Sequence, residues 1–323
     1  ERSIRIGVTY HLDNADGSSY RLDFNTNGAD LTSSSGNISM TTRVTLPYAA
    51  NQSNSVTADF NGVAFTISWN GISCTVAPSE AAADGPERAR QLAELLNAAP
   101  EALRKIDIVP PARGFFKPYY SPVAAVPQPI SEDEVATDIL GTPYLKLRIS
   151  GYLKSILGRA FDIYQPPATA TAYFQTMDEA SITPVNIVND AHGVNQIVYL
   201  LAKILRQDAR TIIIEEPEVH LHPRVIQRFA KACVDFFKRE KKQLIVSTHS
   251  SSFLTALAAS VVTGELEQND ICLLEAEKVG RGTSLSERAI TKEGKIEGGL
   301  GVFDDPSIED LKVVLAAHDK LDE

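Results

Sequence analysis

The sequence is poor in cysteine and lacks any long apolar run, and both absences narrow what the protein can be. Its three cysteines lie far apart without paired spacing, so neither a disulfide framework nor a cysteine zinc site is indicated. No stretch approaches the roughly 20 consecutive apolar residues of a membrane-spanning helix. No basic segment followed by an apolar one marks the beginning of the sequence. These absences predict a cytoplasmic protein that does not use a membrane.

An excess of positive charge is also absent. The 323 residues have a formal net charge of -10, which argues against covering a nucleic-acid backbone with the whole surface, although a local basic patch could still contact DNA. Hydrophobic residues make up 43% of the chain, enough for one large domain or two modest ones. Because the sequence begins at Glu1 and not at methionine, we expect further residues upstream.

The first part of the sequence predicts an antiparallel β meander. Apolar and polar residues alternate in short runs, and Asn-Gly pairs at positions 61–62 and 70–71 separate three of them. Asn-Gly between alternating runs is a strong hairpin signal, because both residues tolerate positive φ. Residues 25–37 are rich in small polar side chains and lack a lysine that could meet a phosphate, which predicts a solvated loop.

The composition then changes to alanine, glutamate and leucine, which predicts helices. Pro86 precedes apolar residues at helical spacing over 89–96. Further on, Ser131 and Glu134 are spaced as a capping box at the beginning of a second helical segment. We therefore expect a helical subdomain after the meander.

Two adjacent carboxylates follow a strongly apolar strand. Residues 212–214 are three isoleucines and predict a buried strand, with Glu215 and Glu216 at its carboxyl end. An open parallel sheet places its chemistry at that end. Like charges at the rim of an apolar core are costly unless something compensates them, commonly a hard divalent cation. A Mg²⁺-nucleotide site is one hypothesis, and a strand that simply ends in a solvated acidic turn at Pro217 is the other.

Further polar groups are predicted at the same edge of the sheet. A second apolar strand leads into His249, whose ring could bond a phosphate oxygen or a water, or could simply cap and pack. Residues 189–196 precede an amphipathic helix. A helix N-terminus attracts anions, and Gly193 would let a phosphate approach the backbone. Plain N-capping by Asn189 or Asp190 explains the same residues.

Two other groups invite a functional interpretation. A turn with two prolines presents Arg113, which could reach a phosphate or a carboxylate, although a structural ion pair is more typical. His220 and His222 are spaced as His-x-His beside Glu218. Because a transition-metal site generally needs at least three converging ligands, we do not expect a dedicated zinc site there.

Three segments together resemble a known family. Residues 212–223, Ile-Ile-Ile-Glu-Glu-Pro-Glu-Val-His-Leu-His-Pro, and residues 245–250, Ile-Val-Ser-Thr-His-Ser, resemble the Walker B strand and the switch-histidine strand of ABC-type ATPases of the SMC/RecF/OLD-like group. Residues 191–196 resemble the signature motif of that group. The order and spacing of the three segments agree with the family, and the resemblance is strong over residues 185–276.

The resemblance implies an α/β fold, that of a P-loop NTPase-like ABC ATPase head. Such a head has a mostly parallel sheet, an antiparallel β meander and a helical subdomain. The implied domains are residues 1–78 for the antiparallel β part, 79–165 for the helical subdomain and 166–323 for the α/β lobe with the three motifs. We expect a closing helix over residues 308–318 to complete that lobe.

Carried over to the matching positions, the resemblance implies a site for ATP and Mg²⁺. Glu215 takes the position that holds Mg²⁺, usually through water. Glu216 takes that of the general base, and His249 would contact the γ-phosphate. The signature segment would close over ATP bound in a partner subunit. Its ATP-binding candidates are Asn189, Ala191, Gly193 and Gln196. The family resemblance thus implies a homodimer with composite ATP sites, acting in DNA repair or antiviral defence with DNA or an effector nuclease as further partners.

The sequence departs from the family pattern in three places. Glu215 stands where Asp is more usual, and Ala191 where Ser is usual. The larger departure is that no Gly-x-x-x-x-Gly-Lys-Ser/Thr, the loop that cradles the phosphates, occurs in the 323 residues. In the family that loop precedes the β meander, so we expect it upstream of Glu1 and expect this chain alone to bind ATP weakly or not at all. The alternatives are a catalytically silent scaffold without a phosphate loop and a transporter-coupled ATPase, which the Glu-Pro-Glu-x-His-Leu-His-Pro form disfavours.

Overall fold

The computed structural model describes residues 6–11, 17–25, 28–45, 54–71, 73–79, 84–178, 181, 183–280 and 282–299. The chain divides into two compact units, residues 1–106 and residues 107–323. The domain bounds expected from the sequence, 1–78, 79–165 and 166–323, stay a prediction. The closing helix predicted over residues 308–318 lies outside the described residues.

The described part of the first unit consists of two antiparallel sheets and a helix. Strands β1 to β4 are Ile6–His11, Ser19–Asn25, Gly28–Ser35 and Ile38–Thr45. Strands β5 to β7 are Asn54–Phe60, Val63–Trp69 and Cys74–Pro78, and helix α1 is Gly85–Arg104. Each strand pairs antiparallel with the next, within the sheets β1-β2-β3-β4 and β5-β6-β7. The predicted meander is therefore confirmed over these strands.

The solvated loop predicted over residues 25–37 is wrong, because most of this stretch is strand β3, paired with both β2 and β4. Its small polar side chains bond across the sheet instead of to water alone. The hydroxyl of Ser34 donates to that of Ser39 at 2.9 Å, and those of Thr32 and Thr41 are 2.8 Å apart. Cross-strand hydroxyl pairs of this kind stabilise a sheet, so a serine-rich segment can be a strand.

Helix α1 covers one face of the second sheet. Pro86 lies in its first turn, where a missing backbone N–H costs little. Leu92 and Leu96 of the helix belong to one buried cluster with Phe65 and Trp69 of β6. Side chains alternate along a strand, which is why Phe65, Ile67 and Trp69 of β6 all enter this cluster. The helix predicted behind Pro86 is confirmed.

The second unit combines helices with short strands, which confirms the α/β class. Its helices are α2, Glu132–Gly141; α3, Pro143–Leu157; α4, His192–Ile204; α5, Pro223–Glu240; and α6, Ser251–Val262. Its strands are β8, Ile106–Val109; β9, Arg159–Tyr164; β10, Tyr173–Asp178; β11, Pro184–Asn186; β12, Thr211–Glu215; β13, Gln243–Ser247; β14, Leu273–Val279; and β15, Gly282–Arg288. None of the helices in the described part of the chain has the length and apolarity needed to cross a bilayer.

The expectation of a mostly parallel sheet is wrong for the described residues. Strands β12 and β13 pair in parallel within the three-stranded sheet β13-β12-β8. The sheets β9-β10-β11 and β14-β15 are antiparallel, as are both sheets of the first unit. A parallel pair needs a long crossover such as helix α5, whereas short turns join most other neighbouring strands and allow antiparallel pairing only.

Helix α4 and strand β12 form the centre of the second unit. Every residue of α4 from Val194 to Ile204 is buried, and Ile212 and Ile214 of β12 are fully buried in the same cluster as Phe229 of α5. Burying each such side chain contributes about 1.5–3 kcal/mol. The carboxyl end of β12 is thereby anchored on a rigid base.

A buried ion-pair network ties α4 to β8. The Nζ atom of Lys203 lies 2.5 Å from Asp107 Oδ1, and Nη1 of Arg206 lies 2.9 Å from Asp107 Oδ2. Arg206 also pairs with Asp138 of α2 at 2.8 Å. Burial lowers the pKa of Lys203, while the carboxylate of Asp107 opposes the shift. Because the cations are paired, the network holds the strand that leads into the turn with Arg113.

Candidate functional site

The carboxyl ends of β12 and β13 lie side by side. Glu215 is opposite Ser247 in the parallel register, and the backbone N–H of Glu216 donates to the carbonyl of Ser247 at 2.9 Å. The residue Glu215 is exposed, and the side chain of Glu216 is 43% exposed. The acidic pair therefore lies beside the segment that carries His249, where a parallel sheet is expected to place its chemistry.

The backbone of Glu216 is held in an unusual conformation by Arg113. Glu216 has a φ of 43°, which costs a non-glycine residue about 1–2 kcal/mol. The Nη1 atom of Arg113 donates to the carbonyl of Glu215 at 2.7 Å, and Nη2 donates to that of Glu216 at 2.8 Å. Together with a third bond, from Nη1 to the carbonyl of Pro110 at 3.0 Å, these contacts make the guanidinium a clamp on main-chain oxygens.

The clamp keeps its charge although it is buried. Arg113 is 2% exposed, and burial lowers its pKa to about 10, while the carboxylates of Glu218 and Glu216 oppose this shift. At neutral pH the guanidinium is therefore protonated, and its hydrogen bonds to the carbonyls are charge-assisted. It fixes the direction in which the Glu216 side chain leaves the strand.

Glu216 and His249 approach each other at the surface. The Nε2 atom of His249 is 4.0 Å from Oε1 of Glu216. This separation is longer than a direct hydrogen bond, and the His249 side chain is 79% exposed. Both groups can therefore meet a third polar group that enters from solvent.

Glu218 joins the two strand ends, a role that the sequence analysis missed. Its Oε2 accepts a hydrogen bond from the Thr248 hydroxyl at 2.9 Å, and its Oε1 accepts one from the backbone N–H of His249 at 2.5 Å. One signal could have indicated it: a third carboxylate in the turn between the acidic strand and the next helix, where no helix dipole explains it.

The N-terminus of α4 has no side-chain cap. Ala191 is its N-cap residue, and both Ala191 and Asn189 are exposed. The carboxylate of Asp190 instead accepts hydrogen bonds from Arg159, from Thr176 and, at 2.7 Å, from the backbone N–H of Ala191. Capping of the helix by Asn189 or Asp190, the plainer alternative, is therefore not what the structure has.

Close packing against the next turn explains why residue 193 is a glycine. A Cβ atom at this position would lie 2.8 Å from the carbonyl oxygen of His220 and 3.1 Å from Leu221 Cδ2. The first turn of α4 thus packs on the turn that follows Glu216. Gln196 is 2% exposed, and its Oε1 has no hydrogen-bond partner among the described residues. The structure brings Gly193 to the acidic turn and keeps Gln196 inside the unit.

The two histidines of the His-x-His motif have separate surroundings. The ring of His220 lies edge-on to that of His192, with centroids 4.6 Å apart. The Nδ1 atom of His222 accepts a hydrogen bond from the backbone N–H of Arg224 at 3.2 Å and caps α5. Over the described residues, no three His, Cys, Asp or Glu side chains are grouped so that they could hold a metal ion.

The segment that carries these site residues is similar to a known protein family. Residues 148–254 match a family model described as the AAA ATPase domain. The matched span contains α4, β12 and β13, and with them Glu216, Glu218 and His249. The match supports an ATPase-type function, in agreement with the ATPase resemblance of the three sequence segments. No curated protein matches the chain.

Among solved structures, SMC head domains are similar to the chain at a low level. One comes from work on ATP-driven dimerization and DNA-stimulated activation of SMC ATPases; it is 12% identical, covers 50% of this chain and 91% of its own, and has a TM-score of 0.38. The SMC head bound to the C-terminal winged-helix domain of ScpA is 11% identical, with 85% and 75% covered and a TM-score of 0.41. The SMC head domain of Thermotoga maritima is 10% identical, with 75% and 76% covered and a TM-score of 0.36. TM-scores of this size do not establish a shared fold.

Proposed function

We propose that this chain supplies the hydrolytic half of an ATP site in an SMC/RecF/OLD-like ABC-type ATPase head. The observation that carries the proposal is the pair Glu216 and His249, with Oε1 and Nε2 4.0 Å apart at the ends of two parallel strands. Both side chains are open to solvent, whereas the backbone beneath Glu216 is clamped by buried Arg113. Rigid backbone below exposed polar groups is what a preorganised site requires.

Glu215 would hold Mg²⁺, directly or through water. It is a single exposed carboxylate at the end of the strand. This donor fits Mg²⁺, which keeps several waters and takes one or two carboxylates together with substrate phosphates. The ion would neutralise developing charge on the transferred phosphoryl group.

The roles of general base and γ-phosphate contact would fall to Glu216 and His249. The Glu216 carboxylate accepts a hydrogen bond from the attacking water and orients it as a general base. The Nε2 atom of His249 faces the same space and, with its proton, donates to an oxygen of the γ-phosphate. Because phosphoryl transfer depends mainly on positioning and charge, these two groups would supply the contacts to water and to the γ-phosphate in this half of the site.

The N-terminus of α4 is proposed to face ATP held by a second copy of the chain in a homodimer. It lacks a side-chain cap, and in the described part of the chain the backbone N–H groups of His192 and Gly193 make no hydrogen bond, so these two could bind an anion. Asn189, Ala191 and the backbone at Gly193 would bind there, whereas buried Gln196 would act only by supporting the helix.

The test is Mg²⁺-dependent ATP hydrolysis by this chain within a polypeptide that supplies the phosphate-binding loop. We expect Glu216→Gln to lower kcat about 100- to 10,000-fold while ATP binding persists, since a general base contributes this much. The matched control is Glu277→Gln, a carboxylate exposed on β14, which should leave kcat unchanged. Absence of hydrolysis in the parent polypeptide, or equal rates for both variants, would remove the ATPase proposal.

A silent scaffold is the second candidate, and one observation favours it: no Gly-x-x-x-x-Gly-Lys-Ser/Thr occurs in the 323 residues. On this view the fold binds a protein partner without turning over ATP, and the same assay separates the two. Action in DNA repair or antiviral defence, with DNA or an effector nuclease, is a proposal that follows from the resemblance. Stimulation of the ATPase rate by duplex DNA would support a DNA partner.

A further inference from the structure

The carboxylate of Glu218 ties the end of β13 to the turn that carries Glu216. One oxygen binds the backbone N–H of His249 at 2.5 Å, and the other binds the Thr248 hydroxyl at 2.9 Å. Two consecutive residues are thus held by one side chain. Hydrogen bonds to an ionised carboxylate are about twice as strong as neutral ones, so this contact determines where the His249 backbone lies.

The ring of His249 has no comparable support of its own. Within the described part of the chain no hydrogen bond to the ring is present, and the side chain is 79% exposed. Its nearest polar approach is the 4.0 Å separation from Glu216. The backbone of His249 therefore limits the region that the ring can reach.

The other end of this connection is fixed in the acidic turn. The backbone N–H of Val219 donates to the carbonyl of Glu216 at 3.2 Å, and that of Leu221 donates to the carbonyl of Glu218 at 2.9 Å. Glu216 and Glu218 are thus parts of one hydrogen-bonded turn. Buried Arg113 faces both carboxylates and holds the carbonyl of Glu216 at 2.8 Å.

We infer that Glu218 is a positioning residue that sets the approach of the His249 imidazole to the Glu216 carboxylate. The same turn then carries Glu216, the proposed general base, and Glu218, which holds the backbone of His249. The placement of His249 is independent of any activity, while the effect of that placement on ATP hydrolysis rests on the proposed function.

Three substitutions separate the charge of Glu218 from its shape. Glu218→Ala removes both acceptors. Glu218→Gln keeps the shape and one oxygen, but its amide nitrogen cannot accept a hydrogen bond. Glu218→Asp keeps the charge and both acceptors on a side chain one methylene shorter. The matched control is again Glu277→Gln on β14.

The first experiment measures placement without ATP, as the rate of amide hydrogen exchange at His249 in the 323-residue chain. We expect Glu218→Ala to raise this rate about 10- to 100-fold, since a hydrogen bond to a charged group is lost. Glu218→Gln and Glu218→Asp should fall between this variant and the parent. Unchanged exchange in a folded Glu218→Ala chain would overturn the inference; if that variant does not fold by circular dichroism, Glu218→Gln decides in its place.

The second experiment is a kinetic double-mutant cycle with His249→Ala, made in the polypeptide that supplies the phosphate-binding loop. Glu218→Ala should lower kcat with little change in KM, and it should lower kcat no further once His249 is already alanine. Full additivity of the two substitutions would mean that Glu218 does not act through His249, and would overturn the inference.

The two experiments distinguish failure of the inference from failure of the proposed function. If the parent polypeptide hydrolyses no ATP but exchange at His249 still responds to Glu218→Ala, the ATPase proposal is wrong and the positioning role stands. If hydrolysis is present and exchange does not respond, the positioning role is wrong and the ATPase proposal stands.

Discussion

Replacing Arg113 should loosen the acidic strand end, which its guanidinium holds through main-chain oxygens. Its guanidinium donates charge-assisted hydrogen bonds to the carbonyls of Glu215 and Glu216 at 2.7 and 2.8 Å. Each such bond contributes about 1.5–3 kcal/mol. Arg113→Met keeps the apolar stem but loses these two bonds and a third, to the carbonyl of Pro110 at 3.0 Å, and it leaves the nearby carboxylate of Glu218 without its cation.

The loss is partly offset, because burying the guanidinium costs free energy, as the lowering of its pKa to about 10 indicates. We therefore expect Arg113→Met to lower the free energy of local opening over residues 211–219 by about 3 kcal/mol. In an amide-exchange measurement this corresponds to roughly 100-fold faster exchange. Arg113→Lys should recover about half of the loss, because an ammonium cannot span two carbonyls as a planar guanidinium does.

Arg224→Met is the matched control, because Arg224 is exposed at the beginning of α5 and its side chain makes no hydrogen bond or ion pair among the described residues. A change within about 0.5 kcal/mol is expected there. The reasoning would be refuted if Arg113→Met also stayed within that range, or if Arg113→Lys were as stable as the parent, since the fork geometry would then be irrelevant.

Two further predictions concern packing and pH. Gly193→Ala should destabilise the second unit by about 1 kcal/mol in urea unfolding, because the new Cβ would lie 2.8 Å from the backbone oxygen of His220. The gain of roughly 1 kcal/mol in helix propensity offsets this clash only in part. A variant more stable than the parent would contradict the prediction. Lys242 is 3% exposed, and burial lowers its pKa to about 8, below the usual lysine value of about 10.4. The folded state then binds fewer protons than the unfolded state between these values, so the free energy of unfolding should rise by about 2 kcal/mol from pH 8 to pH 10 relative to Lys242→Met, and a flat difference would contradict it.

The arrangement of β12 and β13 could be predicted because it depends on local patterns. A short run of isoleucines, a helix and a second apolar run favour a parallel pair joined by a crossover. The carboxyl ends of such strands coincide, so Glu216 and His249 were expected at one edge, and they lie 4.0 Å apart. Strand β3 was missed because its composition, rich in small polar residues, concealed hydroxyl pairs that exist only across strands.

The contacts that hold the candidate site in place could not be predicted from the sequence. Arg113 binds carbonyl oxygens 102 and 103 positions away, and a backbone carbonyl has no sequence signature because every residue carries one. The same is true of Glu218, whose partner at His249 is a backbone N–H. Gly193 suggested an approaching phosphate, yet the atom that needs the space is the carbonyl oxygen of His220.

These contacts separate two kinds of residue at the strand ends. Glu216 and His249 expose 43% and 79% of their side chains, and their direction comes from main-chain atoms held by Arg113 and Glu218. Substitution of an exposed group should therefore lower the rate of ATP hydrolysis with little loss of stability. Substitution of Arg113 or Glu218 should lower the rate and the stability together. A variant of Glu216 or His249 that unfolded the chain would mean that these groups hold the fold, and the case for a preorganised hydrolytic half-site would be lost.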